Sequence, residues 1–67
     1  MSTLGENLKR ERISCGYSQA EFAKKIKTTQ QRVSEWECNK VEPTLFNIIA
    51  ITRTLDITFE DLIDGIE

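Results

Sequence analysis

Histidine is absent from this 67-residue sequence, and proline, tryptophan and tyrosine each occur once. The missing histidine removes the commonest general base and the commonest metal ligand in one stroke. The two cysteines, Cys15 and Cys38, are too few for a disulfide framework or a metal site. No nucleophile–base pair or metal cluster is visible, so we expect no enzyme activity, no bound metal and no cofactor.

Long apolar runs are also missing, because no stretch of 18 apolar residues occurs. The N-terminus lacks a basic segment followed by an apolar one, so we expect a soluble protein that is not exported and does not enter a membrane. A cytoplasmic protein with reduced thiols is the simplest interpretation. The length predicts a single domain over residues 1–67 with one small core.

Charge is distributed unevenly along the chain, although the formal net charge is only −2. Residues 1–40 carry eight basic and five acidic side chains, a net +3, whereas residues 41–67 carry one basic and six acidic, a net −5. Such asymmetry is typical of proteins with a polyanion-binding face. An acidic surface that keeps a small protein soluble explains the same numbers, so charge alone does not decide.

Helix starts are marked by N-cap residues, and three of them are followed at the third position by an acidic residue, as in a capping box. The predicted N-caps are Thr3, Ser18, Thr29, Thr44 and Thr58. Together with helical apolar spacing, they predict an all-α fold with helices near 4–14, 19–26, 30–38, 45–55 and 59–64. Gly16 and Asn39 stand where helices one and three should end, and both tolerate the left-handed conformation.

Apolar spacing also predicts the core. In helix four a stripe of Leu45, Ile48, Ile49 and Thr52 follows the i, i+3, i+4, i+7 rule. We expect Phe59 and Leu62 of helix five to close the core, and Trp36 to be partly buried.

Helices two and three are separated only by Lys27-Thr28-Thr29. Two short helices on such a turn form a helix-turn-helix, here at about 19–38, whose second helix enters the DNA major groove. Ala23 is a small side chain where the two helices would cross.

The chain resembles the Cro/cI-type, lambda repressor-like helix-turn-helix domains from Leu4 to about Ile63. The matching features are Arg12, Ser18-Gln19, Phe22-Ala23, Ser34-x-Trp36-Glu37, Pro43-Thr44 and Leu55. The tetrapeptide TTQQ, residues 28–31, is similar to one found in lambdoid phage repressors. The resemblance implies a compact five-helix domain and a sequence-specific DNA-binding transcriptional regulator, most simply a repressor.

Two positions depart from the family pattern, which usually has glycine where Lys27 and Asn39 stand. A lysine in the left-handed conformation costs on the order of 1 kcal/mol, so we expect a reshaped turn at Lys27. Asparagine is a milder change.

Polar side chains at the front of helix three are the candidate base contacts. On this helix Val33, Trp36 and Glu37 fall on one side, and a polar set falls largely on the other. Glutamine can bond both N6 and N7 of adenine, and the first residues of a recognition helix reach deepest. The predicted base contacts are Gln30, Gln31, Ser34 and Glu35; Glu35 either accepts from cytosine N4 or repels the phosphates of other sequences.

Phosphate contacts form a separate class that positions the protein on the duplex. Gln19, Thr29 and Lys40 resemble backbone-contacting positions of the family. Arg10 is a possible further phosphate contact on its charge, although a solvated surface charge explains it equally well. The resemblance also implies a structural ion pair between Arg12 and the inward-facing Glu37. An exposed Glu37 is the alternative.

One recognition helix reads only a few base pairs, so we expect a homodimer on a palindromic operator. Apolar residues of helix five and the C-terminal tail suggest a weak dimer there, with Ile63 or Ile66 free for a twofold partner. The alternative is that all of these residues cover the core of a monomer. The alternative function is a protein-interaction module on the same fold, such as an antitoxin or an adaptor.

Overall fold

A computed structural model describes residues 2–66 of the chain. Five α-helices follow one another, α1 Leu4–Ser14, α2 Gln19–Lys25, α3 Gln30–Glu37, α4 Leu45–Leu55 and α5 Phe59–Leu62, and no strand occurs in the described residues. The predicted all-α class is confirmed, and the predicted helix boundaries agree to within two residues. No helix within residues 2–66 is long and apolar enough to cross a membrane.

All five helices begin at a predicted N-cap, and each cap oxygen accepts a hydrogen bond from the backbone N–H three residues on. The boxes at Thr3, Ser18 and Thr58 are reciprocal, because the acidic side chain bonds back to the cap backbone. The backbone N–H of Ser18 donates to Glu21 Oε1 at 2.9 Å. This hydrogen bond, followed by the one from the Ser18 side chain, lowers the pKa of the Glu21 carboxyl. Caps therefore define where each helix begins.

Four of the helices also end alike, with an N–H donating five residues back. The donor and acceptor pairs are Tyr17 to Arg12, Thr28 to Ala23, Lys40 to Glu35 and Ile57 to Thr52, at 2.9–3.2 Å. In each case the residue before the donor has a positive φ, as in a Schellman motif. These residues are Gly16 at 81°, Lys27 at 61°, Asn39 at 60° and Asp56 at 54°. The reshaped turn expected at Lys27 is wrong, since the lysine itself adopts the left-handed conformation.

The core lies between the five helices, with α3 packed on α1 and α2, and α5 packed on α1 and α4. Its buried residues are Leu8, Phe22, Ala23, Val33, Trp36, Ile51, Leu55 and Leu62. Three predictions need correction. Phe59 is 49% exposed and does not close the core. The buried stripe of α4 is Ile51 and Leu55 with Ile48 packed beside them, whereas Leu45 and Ile49 face outward. Trp36 is fully rather than partly buried.

Gly5 lets α1 approach the end of α3 more closely than any other residue type allows. A Cβ at this position would lie 2.5 Å from the Glu37 carbonyl oxygen and 2.6 Å from that of Trp36. The Gly5 backbone N–H donates to Asn39 Oδ1 at 3.0 Å, and Asn39 Nδ2 donates to Thr3 Oγ1 at 2.9 Å. Asn39 therefore ends α3 and joins that end to the start of α1. It does so through two side-chain hydrogen bonds that glycine, which has no side chain, cannot make.

Asn7 joins the two ends of the chain. Its side chain is fully buried, and its Nδ2 donates to the carbonyl oxygens of Leu62 at 2.9 Å and Asp64 at 2.8 Å. The Ser2 backbone N–H donates to the Gly65 carbonyl at 3.0 Å beside it. The segment after α5 is thus held against α1.

Candidate nucleic-acid interface

Helix α3 has one anchored face and one free face. Val33 and Trp36 are buried at 0% and 1% exposure. Gln30 and Gln31 in the first turn are exposed, and Ser34 and Glu35 are half-buried. The Thr29 hydroxyl accepts from the Arg32 N–H at 3.1 Å, which fixes where the helix begins. The polar residues are therefore presented outward by a helix whose other side is fixed in the core.

The inward carboxylate of Glu37 is held by an ion pair with Arg12. Arg12 Nε lies 2.6 Å from Oε2, and its second terminal nitrogen lies 3.0 Å from Oε1. The remaining terminal nitrogen donates to the Tyr17 carbonyl at 2.7 Å. Both side chains of the pair are more than 90% buried. This bidentate geometry is the strong form of an arginine–carboxylate contact, and it joins α3 to α1.

Gln19 connects this ion pair to the surface. Its Nε2 donates to Glu37 Oε1 at 3.0 Å, so one carboxylate oxygen accepts from both Arg12 and Gln19. Sequence reasoning placed Gln19 at a phosphate and missed this contact. No signal in the sequence indicates it, because the two residues are 18 apart and meet only through the packing of α2 on α3.

A shallow concavity of about 480 Å³ gathers most of the predicted contact residues. It is lined by Gln19, Gln30, Gln31, Ser34, Glu35, Cys38 and Lys40. All four predicted base contacts and two of the four predicted phosphate contacts therefore share one surface, which we call the α3 face. The amides, the hydroxyl and the ammonium group on it can donate hydrogen bonds, and the amide and carboxylate oxygens can accept them.

The other two predicted phosphate contacts lie outside this lining. Thr29 caps α3 at the margin of the α3 face. Arg10 is exposed on α1, 3.7 Å from Glu11, in the manner of a solvated surface pair. The structure does not bring Arg10 to the α3 face.

Arg32 is a residue of α3 that sequence reasoning did not assign. Its Nε lies 3.6 Å from Glu35 Oε1, and its side chain is 52% exposed. The i, i+3 spacing of opposite charges was the available signal. The pairing partly neutralises the acidic group on the α3 face, which lowers its repulsion of a polyanion.

Sequence comparison places this geometry in a family. The family described as "Helix-turn-helix" matches residues 8–62, which includes α2, α3 and the core of the domain. The chain belongs to the Cro/cI-type helix-turn-helix family. Among residues 2–66 no group of three or more histidine, cysteine, aspartate or glutamate side chains is placed to hold a metal ion.

One curated relative is a Bacillus subtilis (strain 168) protein described as an SPbeta prophage-derived uncharacterized HTH-type transcriptional regulator, YonR. It is 34% identical over 61 residues, which cover 91% of this chain and 56% of the relative. The chain thus spans little more than half the length of this relative.

Two solved structures share the helix-turn-helix fold. The P22 c2 repressor, in complex with synthetic operator 9T in the presence of Tl⁺, aligns with a TM-score of 0.89 and 25% identity over 97% of this chain and 98% of that one. The SinR protein/SinI protein complex aligns with a TM-score of 0.85 and 26% identity, over 94% of this chain and 62% of that one. Both matches confirm the lambda repressor-like arrangement of five helices.

Proposed function

We propose that the chain is a sequence-specific double-stranded DNA-binding transcriptional regulator, most simply a repressor that blocks promoter access in the cytoplasm of its bacterial host. The observation that carries the proposal is the α3 face: a polar, outward row on a helix anchored by Val33, Trp36 and the buried Arg12–Glu37 pair. The P22 c2 repressor, a fold neighbour that aligns along nearly the whole chain, was solved on an operator. We expect no catalytic activity.

In this proposal α3 lies in the major groove and its first turn reads base edges. Gln30 and Gln31 each offer one donor and one acceptor, which suits adenine N6 and N7. Ser34 and Glu35 follow one turn later. Gln19, Thr29 and Lys40 bind phosphates, and Arg10, away from the α3 face, is the weakest member of that set. Two copies on a palindromic operator then place their recognition helices about one DNA turn apart.

Selection of bound duplexes from a random pool with the purified protein tests the proposal and yields the operator. On the selected duplex we expect Gln30→Ala and Gln31→Ala to cost about 1–3 kcal/mol each and to relax specificity at one position per half-site. Lys40→Ala should weaken binding of all duplexes alike. It should also reduce the magnitude of the slope of log K against log salt concentration by about 1.

Lys25→Ala is the matched control, because Lys25 lies in a separate depression beside Tyr17 and Glu21 rather than on the α3 face. Its binding should change little. Unchanged binding by the two glutamine variants would refute the base-reading assignment.

A second candidate is a protein-interaction module on the same fold. The SinR protein was solved in complex with another protein, SinI, and the second half of this chain is acidic. If the affinity for duplex DNA does not depend on salt concentration and the selection enriches no duplex, the interaction module is favoured over the regulator.

A further inference from the structure

Helix α4 has two different faces. One face packs into the core through Ile48, Ile51 and Leu55. At 100° per residue, Phe46, Ile49, Ala50 and Arg53 lie on the opposite side. Phe46 is 83% exposed and Ile49 is 38% exposed. We call these four residues the outer α4 face.

The outer α4 face is unusually apolar for this chain. Residues 45–52 contain no charged side chain, although 30% of the whole sequence is charged. Leu45, which precedes Phe46, is itself 70% exposed. Single exposed apolar residues are ordinary, but several in two consecutive helical turns are typical of an interaction surface.

We propose that a second copy of this chain covers the outer α4 face, with the two α4 helices antiparallel across a twofold axis. The four positions are symmetric about the point between Ile49 and Ala50. An antiparallel pairing at that point sets Phe46 opposite Arg53 of the partner subunit, and the reverse, which is the reciprocity that an isologous interface requires. The small side chain of Ala50 lets the two helices approach closely at the crossing.

Charge favours this surface over helix five and the tail, where the sequence alone placed the dimer. The apolar residues there, Phe59, Ile63 and Ile66, are 36–49% exposed, but they are interspersed with Glu60, Asp61 and Asp64 and with no basic residue. Self-association of that surface brings like charges together. The outer α4 face contains no acidic residue.

Arg53 is available for the contact. Within residues 2–66 no carboxylate oxygen lies within 4.0 Å of its guanidinium. A guanidinium over an aromatic ring is an attractive pair, and its aliphatic stem covers apolar surface. One pair of short helices is at the low end of interface size, so the dimer is weak. The inference deepens the proposed function, since it identifies the surface that joins two DNA-bound copies.

Sedimentation equilibrium of the whole chain without DNA tests the location of the interface. We expect Phe46→Ala to raise the dimer dissociation constant at least about tenfold. Phe59→Ala is the matched control on α5, and its dissociation constant should stay within about twofold of the wild type. Thermal unfolding should show that both variants are folded, because neither side chain belongs to the buried core.

A charge pair tests the antiparallel register. Phe46→Lys should abolish the dimer by repulsion from Arg53 of the partner subunit. Adding Arg53→Glu should recover part of the association lost in Phe46→Lys, because the new lysine and the new carboxylate then face each other across the axis, although the phenyl contact is not replaced. Phe46→Ala, Phe59→Ala and Phe46→Lys should each still bind a duplex that carries one half-site. This result separates the dimer interface from the DNA binding of the proposed function.

Three results would overturn the inference. They are a wild-type chain that stays monomeric at every concentration, a dimer weakened by Phe59→Ala and not by Phe46→Ala, and a double variant that associates no better than Phe46→Lys alone. If the wild-type chain does not bind the half-site duplex, the proposed function itself is contradicted.

Discussion

At the residue scale, the carboxylate of Glu37 shows what a buried charge in a small domain requires. Its two oxygens accept three side-chain hydrogen bonds, two from Arg12 and one from Gln19. Arg12 in turn donates to the Tyr17 carbonyl, so its three nitrogens are all used. Burial is tolerated because charge and hydrogen-bonding capacity are satisfied together. The pair also fixes α3 against α1 and α2 beneath the α3 face.

We expect Arg12→Ala to destabilise the domain by about 3–5 kcal/mol, because it leaves the buried Glu37 carboxylate without its partner. Chemical denaturation followed by the fluorescence of Trp36, the single tryptophan, measures this loss. Gln19→Ala removes only a half-buried donor and should cost about 1 kcal/mol.

A double replacement separates the charge from the packing. Arg12→Met with Glu37→Leu removes both charges and keeps apolar volume, so its stability should lie close to the wild type. A double variant as unstable as Arg12→Ala would show that the hydrogen bonds of the pair stabilise the domain, beyond each side chain cancelling the buried charge of the other.

At the scale of the element, the helices are defined more sharply at their starts than at their ends. Each of the five helices begins after a serine or threonine N-cap. The ends share a left-handed residue, yet only Gly16 of the four is a glycine. At Lys27 the family pattern marked a glycine position, but the lysine was expected to reshape the turn; at Asp56 nothing in the sequence indicated a positive φ. Both residues are left-handed, because the backbone hydrogen bonds that end the helix impose this conformation whatever the side chain.

Lys27→Gly should therefore stabilise the domain, by about 0.5–1 kcal/mol, because glycine adopts a positive φ without strain. The greater freedom of glycine in the unfolded chain offsets part of the gain. Lys24→Gly within α2 is the control, and it should destabilise by up to about 1 kcal/mol. The denaturant midpoints of the two variants are compared directly; a midpoint for Lys27→Gly below that of the wild type would contradict the strain at this turn.

At the scale of the whole molecule, contacts between distant parts of the chain replace a large core. Asn7 holds the segment after α5, and Gly5 with Asn39 holds the start of α1 against the end of α3. A chain of this length buries a smaller fraction of its surface than a larger domain does, so such polar bridges carry a larger share of its stability.

Asn7→Asp should destabilise more than Asn7→Leu, although aspartate is closer in shape. Leucine removes two hydrogen bonds, at about 1 kcal/mol each, whereas ionised aspartate also buries a charge against two carbonyl oxygens. Burial raises the pKa of the new carboxyl, so its penalty is fully present at high pH and shrinks as the pH falls and the carboxyl gains an O–H donor. Urea titrations of the wild type and Asn7→Asp near neutral pH and near pH 4 measure the loss in free energy of unfolding at each pH. An equal loss at both would exclude the buried charge as its cause.

The sequence by itself determined the class, the order and starts of the helices, and which residues of α3 point outward. These properties are local: a cap bonds within three residues, and a helical face follows from a 100° step. The family pattern added the partner of Glu37, which spacing alone does not supply.

Only the tertiary structure decided which apolar residues are buried. Phe59 and Leu62 lie on the same short helix and look alike in sequence, yet one is half exposed and the other fully buried. The same holds for Ile49 and Ile51 on α4. The hydrogen bonds of Gln19, Asn39 and Asn7 likewise join residues 18 to 57 positions apart. A side chain's burial depends on which neighbours the whole chain brings to it, and that information is not contained in any local stretch of sequence.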